Sequence, residues 1–158
     1  MVRLAINGYG RIGRSVLRAL QESPLREQMQ VVAINELADA RTVLHLTRYD
    51  STHGRFPGEL AGDEQHLVVN GEPIVLLRSE AIATLPWSDM DVDIVLECTG
   101  AFSDRATAEQ HLAQGARRVL FSQPAQADVD ATIVFGVNQG ELRADHRIVS
   151  AGSCTTNG

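Results

Sequence analysis

The sequence predicts an α/β protein built on a doubly wound, mostly parallel sheet. Three observations lead there. Short apolar runs alternate with longer amphipathic ones, the pattern of successive strand–helix–strand units. A glycine-rich run, Gly8-Tyr9-Gly10-Arg11-Ile12-Gly13, separates the first apolar run from the first amphipathic one. The chain of 158 residues is 44% apolar and 22% charged, the composition of a globular domain that can bury about two thirds of its unfolded surface.

The elements follow in order. Leu4-Ala5-Ile6 is short, wholly apolar and reads as a first buried strand. Ile12 to Leu20 reads as a helix, with Ile12, Val16, Leu17 and Leu20 on one face, and Ser23-Pro24 ends it. Val31 to Ile34 is a second strand, and Asp39 to Tyr49 a second helix capped near Asp39. Thr52 to Gly58 is loop-like. His66 to Val69 and Pro73 to Leu76 flank Asn70-Gly71, the strongest short-range hairpin signal. A strand at Asp93 to Leu96, a helix at Asp104 to Gln114 and a strand at Arg118 to Phe121 come next. Two short strands, Ala131 to Phe135 and Arg147 to Ser150, complete residues 1–150. This is a Rossmann-type arrangement with a β-hairpin insertion. Residues 151–158 look like the opening of a further helix, so the chain is expected to be part of a longer protein.

Composition narrows the function. The formal charge of -6 speaks against nucleic acid as a partner. No apolar run is long enough to span a bilayer, so no membrane partner is expected. Two cysteines make no disulfide framework, and with no signal-peptide pattern the expected location is the cytoplasm. The five histidines, His45, His53, His66, His111 and His146, show no metal-ligand spacing and read as surface or loop-packing residues.

Gly8-x-Gly10-x-x-Gly13 falls directly after a strand and opens a helix, the context that makes this pattern a dinucleotide site. Gly8 is expected to permit the tight turn, Gly10 the approach of a pyrophosphate, and Gly13 close packing of helix on strand. The helix start favours phosphate charge through its free N–H groups and dipole. Glu36 follows 23 residues after Gly13, near the spacing at which a carboxylate accepts from adenosine ribose hydroxyls. A carboxylate there repels a 2′-phosphate, and Leu37 and Ala38 offer no offsetting cation. The cofactor expected is NAD rather than NADP. Taken alone, the same residues also fit a ligand-free turn and a solvated glutamate.

Cys154, between Ser153 and Thr155, stands where a helix N-terminus would favour its thiolate. The two neighbouring hydroxyls could hold a phosphate beside the sulfur, or could simply cap the helix. Cys98 ends an apolar strand and reads as core or near-core.

Four runs together carry a resemblance. Ala5-Ile6-Asn7-Gly8-Tyr9-Gly10-Arg11-Ile12-Gly13-Arg14, Tyr49-Asp50-Ser51-Thr52-His53-Gly54, Gly136-Val137-Asn138 and Ser153-Cys154-Thr155-Thr156-Asn157 resemble the phosphorylating glyceraldehyde-3-phosphate dehydrogenase superfamily over essentially the whole chain. Asn35-Glu36-Leu37-Ala38-Asp39, Leu85-Pro86-Trp87, Val119 to Ser122 and Leu142 to Ser150 are similar to its branch that oxidises erythrose 4-phosphate. Two positions depart from the pattern: Ala151-Gly152 replaces a usual Asn-Ala, and Gly158 stands where a second cysteine is usual.

The resemblance implies roles. Asn7, Gly8, Gly10 and Gly13 belong to the cofactor turn, and Arg11 and Ile12 meet the pyrophosphate through their backbone. Glu36 holds the adenosine ribose, Arg78 lies near the adenine, and Thr99, Gly100 and Ser122 line the nicotinamide side. Cys154 is the nucleophile, with Ser153 and Thr155 at the substrate. Its thiolate adds to the aldehyde carbonyl, hydride leaves the thiohemiacetal for the nicotinamide, and a thioester remains. Water then releases 4-phosphoerythronate, for pyridoxal 5′-phosphate synthesis; in the glycolytic branch inorganic phosphate releases an acyl phosphate. The base, the second anion site and most of a homotetramer interface belong to a following catalytic domain, so residues 1–158 alone are expected to bind cofactor without turnover. A non-catalytic nucleotide-binding module or a thiol redox sensor is the reading from another class.

Overall fold

A computed structural model describes residues 1–50, 54–100, 105–122, 131–133 and 147–151. Strand β1 (Val2–Asn7) lies inside the sheet, so its last four residues, Leu4 to Asn7, are buried. Helix α1 (Arg11–Glu22) starts at Gly10, which supplies no side-chain cap, and stops at Ser23. The Ser23 hydroxyl then accepts from Leu25 N–H and opens a short 3₁₀ turn, Pro24–Glu27. β2 (Met29–Asn35) is buried over its last five residues. α2 (Ala40–Arg48) is capped by Asp39, whose carboxylate accepts from Thr42 N–H at 2.7 Å.

β3 (Tyr49–Asp50) pairs antiparallel with β4 (Gly54–Arg55), so Gly54 and Arg55, expected as loop, lie in a small ribbon. β5 (Leu60–Gly62), β6 (His66–Val69) and β7 (Glu72–Leu77) form an antiparallel meander. Its second turn has positive φ at both Asn70 (51°) and Gly71 (84°), the type I′ geometry that matches strand twist. A 3₁₀ turn at Ile82–Thr84 leads to β8 (Ile94–Glu97), α3 (Arg105–Ala113), β9 (Arg118–Phe121), β10 (Ala131–Ile133) and β11 (Ile148–Ala151).

Among the described residues these strands make a nine-stranded sheet in the order β10-β11-β9-β8-β1-β2-β7-β6-β5. Every pairing from β10 across to β7 is parallel, and the meander adds the antiparallel edge. From β1 the chain goes first to β2 on one side and later returns to β8 on the other, so the loops after β1 and β8 diverge at one point and open a crevice there.

The two faces of the sheet carry separate cores. Ile6, Leu17, Val43, Phe56 and Leu67 pack under α1 and α2. Ala5, Ala33, Leu85, Trp87 and Val95 pack on the opposite face, and Ala108, Val119 and Phe121 continue under α3. Two expectations need correction. Ile12 is 50% exposed rather than on the buried face of α1. The stripe that meets the sheet begins at Gly13 and continues through Leu17 and Leu20, and Ile12 stands about 100° around the helix from it. His111 is not a surface residue: it is fully buried on α3, because polar partners wait for both ring nitrogens.

Candidate functional site at the β1–β8 divergence

The turn after β1 is built by close approach. Gly8 has φ +94°, and a Cβ there would lie 2.7 Å from the backbone of Thr99 in the loop after β8. Gly13 would place a Cβ 2.6 Å from the Gly8 carbonyl oxygen and 3.1 Å from the Ile6 side chain. At Gly10 a Cβ would meet nothing within 4 Å. Two glycines are therefore demanded by the protein's own packing, and the third faces open space where a ligand can come against the backbone. Gly10 caps α1 without a side-chain bond, and no acidic side chain occupies the first helical turn. The N–H groups there remain for an anion.

Tyr9, between two of these glycines, pins the turn from both sides. Its N–H donates to Glu36 Oε1 at 2.9 Å. Its ring is buried and its hydroxyl lies 2.7 Å from Thr47 Oγ1. The Thr47 hydroxyl already donates to the Val43 carbonyl, so the tyrosine donates. Burial pushes the Tyr9 hydroxyl up to about 12, with the Thr47 bond working the other way. The other carboxylate oxygen of Glu36 accepts from Ala38 N–H at 3.0 Å. Glu36 thus braces the glycine turn and still has oxygen lone pairs for hydroxyl donors.

A crevice of about 520 Å³ opens here, lined by Asn7, Gly8, Gly10, Glu36 and Thr99 among others. A larger groove of about 870 Å³ lies between the start of α2 and the β5–β6 turn. The smaller one contains the open Gly10 backbone, and it sits at the divergence of the sheet where ligands of such folds bind. Arg78 lines the larger groove with Asp39 and Arg41, beside the crevice rather than in it. Arg11 and Ile12 are exposed in the first turn of α1. Gly100 follows Thr99 with φ +74°. Ser122 just follows β9; its N–H donates to the Glu97 carbonyl and its side chain hydrogen-bonds Cys98. Burial pushes the Cys98 thiol up to about 11. Ser153, Cys154 and Thr155 lie outside the described residues.

Behind the crevice floor runs a buried polar chain that sequence reasoning did not identify. Glu97 Oε1 accepts from Asn7 Nδ2 at 2.7 Å and from His111 Nε2 at 2.9 Å. Glu97 Oε2 accepts from Thr99 Oγ1 at 2.8 Å and Thr99 N–H at 3.2 Å. Asn7 Oδ1 accepts from Asn35 Nδ2, and the Asn35 amide forms a two-bond pair with the backbone of Ser79. At the other end Trp87 Nε1 donates to His111 Nδ1 at 3.0 Å. An indole nitrogen can only donate, so Nδ1 accepts, the proton sits on Nε2 and the imidazole is neutral. Burial works to raise the Glu97 carboxyl, but the bonds from His111, Asn7 and Thr99 outweigh it and hold it below the usual range. One signal was available in the sequence: an acid ending an otherwise apolar strand at the carboxyl edge of such a sheet.

No helix among the described residues is long and apolar enough to cross a membrane. Among those residues, no cluster of three or more His, Cys, Asp or Glu could hold a metal. The glycine turn, the braced Glu36 and the open Gly10 backbone fit a dinucleotide, and the comparison with known families agrees. Residues 2–105 match the family described as the NAD binding domain of glyceraldehyde 3-phosphate dehydrogenase. The chain is an NAD-binding domain of Rossmann type and belongs to the glyceraldehyde 3-phosphate dehydrogenase family.

Proposed function

We propose that the protein is the NAD-binding part of a D-erythrose-4-phosphate dehydrogenase. The oxidoreductase reading is carried by one observation: a crevice with an open glycine backbone and the Glu36 carboxylate, in a chain of a dehydrogenase NAD-binding family. The choice of substrate is supported by the Asn35 to Asp39 run and its companions, which are similar to the erythrose-4-phosphate branch.

In this reading the backbone at Gly8, Gly10, Arg11 and Ile12 holds the pyrophosphate, assisted by the start of α1. Glu36 binds the adenosine ribose, and Arg78 closes the adenine end from the neighbouring groove. Thr99, Gly100 and Ser122 line the nicotinamide side. NAD, when bound, would supply the hydride acceptor. The Cys154 thiolate would add to the substrate carbonyl carbon as the C=O π pair moves onto the oxygen, and Ser153 and Thr155 would orient the substrate. A catalytic domain supplies the base, and the whole protein works as a cytoplasmic homotetramer.

The buried, poorly ionised Cys98 thiol does not favour a redox sensor centred on that residue. Glycolytic glyceraldehyde-3-phosphate dehydrogenase remains the second reading, because the matching family carries that enzyme's name. The deciding experiment compares kcat/KM of the full-length gene product for the two aldehydes, with and without inorganic phosphate. Faster, phosphate-independent oxidation of erythrose 4-phosphate is expected. Faster turnover of glyceraldehyde 3-phosphate that requires phosphate moves the protein to the sister activity. Replacing Glu36 with Ala should narrow the ratio of NAD to NADP affinity, and an unchanged ratio would remove Glu36 from cofactor selection.

A further inference from the structure

Glu97 is a buried anion with no matching cation among the described residues. Its side chain is wholly excluded from solvent, as is that of His111. Of its four hydrogen-bond partners, three can only donate. Thr99 N–H is a backbone donor, Asn7 Nδ2 has its polarity set through Asn35 by the Ser79 N–H, and His111 Nε2 has its polarity set by Trp87. With four donors aimed at its two oxygens, the group is held as a carboxylate. All four partners are neutral. Such a group carries a large desolvation cost, which these hydrogen bonds offset. Its field, unscreened by water, extends into whatever lies beside it.

What lies beside it is the crevice. Asn7 and Thr99 bond the carboxylate directly and also line the crevice wall. The other carboxylates at that wall are differently placed: Glu36 is tied to Tyr9 and Ala38 N–H, and Glu80 is exposed to solvent. We propose that Glu97 is a specificity-determining residue that biases the crevice toward the cationic, oxidised nicotinamide over the neutral, reduced one. The inference rests on the reading that the nicotinamide lies on the Thr99 side. Oxidation and reduction of NAD change the charge at that end by one unit, so a fixed negative charge one layer behind the wall distinguishes the two forms. Trp87 and His111 take part as positioning residues: by keeping the imidazole neutral they leave the carboxylate's charge uncancelled.

The test measures dissociation constants of NAD+, NADH and ADP-ribose for wild type, Glu97→Gln and Glu97→Asp, with folding checked by circular dichroism. Wild type should bind NAD+ more tightly than NADH, and this preference should persist from about 0.05 to about 0.5 M salt, since a buried charge is little screened. Glu97→Gln should narrow the ratio by roughly three- to tenfold through weaker NAD+ binding, while ADP-ribose, which lacks the nicotinamide, is held as before. Glu97→Asp, which keeps the charge, should keep the ratio. An unchanged ratio in Glu97→Gln, or equal loss of all three ligands, overturns the proposal and leaves Glu97 a packing role. If Glu97→Gln does not fold, the wild-type ratio decides: equal affinities for NAD+ and NADH, or a preference abolished by salt, overturn it. ADP-ribose failing to bind wild type would remove the cofactor reading itself, a result distinct from the others.

Discussion

His111 Nε2 lies 2.9 Å from Glu97 Oε1, and neither side chain is exposed. With Trp87 donating to the other ring nitrogen, this contact is a neutral imidazole donating to a carboxylate rather than an ion pair. Its worth is that of a satisfied buried network, in which removing one member strands another.

Trp87→Phe keeps most of the buried ring but leaves His111 Nδ1 without a donor. It should destabilise the protein by about 1–3 kcal/mol. His111→Leu strands the Trp87 N–H and takes a donor from Glu97, and should cost about 3 kcal/mol or more. Urea denaturation followed by circular dichroism measures both. A Trp87→Phe protein as stable as wild type would mean the indole bond contributes nothing.

Acid should weaken the fold through Glu97. Its folded-state carboxyl lies below the ordinary 4.5 despite burial, because His111, Asn7 and Thr99 bond the ionised form. A depressed value contributes stability that is fully present above the unfolded pKa and is lost as the pH falls through the folded one. Asp39 and Asp63 are lowered too, chiefly by backbone bonds from Thr42 and Gln65, and act with the same sign. Unfolding free energy measured from pH 7 down to about 3 should therefore fall below about pH 5. Glu97→Gln should reduce that slope without abolishing it. Equal slopes in the two proteins would remove Glu97 from the acid response.

The three glycines of the turn should separate cleanly. Gly13→Ala drives a methyl into the Gly8 carbonyl, and Gly8→Ala adds a left-handed φ to a clash with the Thr99 backbone. Each should cost about 2 kcal/mol or more. Gly10→Ala meets open space and should fold within about 0.5 kcal/mol of wild type, yet bind NAD several-fold more weakly. Calorimetric titration beside thermal melts reads this, and unchanged NAD affinity in Gly10→Ala would show that no ligand approaches that backbone.

Cys98 should be chemically silent in the folded protein. With its thiol pushed up to about 11 by burial, the thiolate fraction at pH 8 is only about a thousandth. Iodoacetamide labelling of the peptide that carries it, followed by mass spectrometry, should be roughly a hundredfold slower in the native protein than in urea. Comparable rates would place the thiol in contact with solvent.

Local chemistry made much of this molecule legible from sequence. The Asn70-Gly71 turn, the Asp39 cap and the apolar runs of β1, β2 and β8 each depend on residues within a few positions of one another. The glycine turn with Glu36 was readable for the same reason, since its spacing reflects one strand–helix–strand unit. Tertiary structure alone decided the buried chain behind the crevice. Asn7 and Glu97 are 90 residues apart, Trp87 and His111 are 24 apart, and Glu97 and His111 are 14 apart. No local periodicity marks such pairs. A histidine on a short helix reads as a surface residue until the sheet brings a carboxylate to one of its nitrogens and an indole to the other. The cost of burying a polar group is then offset only by partners that folding brings to it, and beyond the acid that ends β8 the residues around it do not mark those partners.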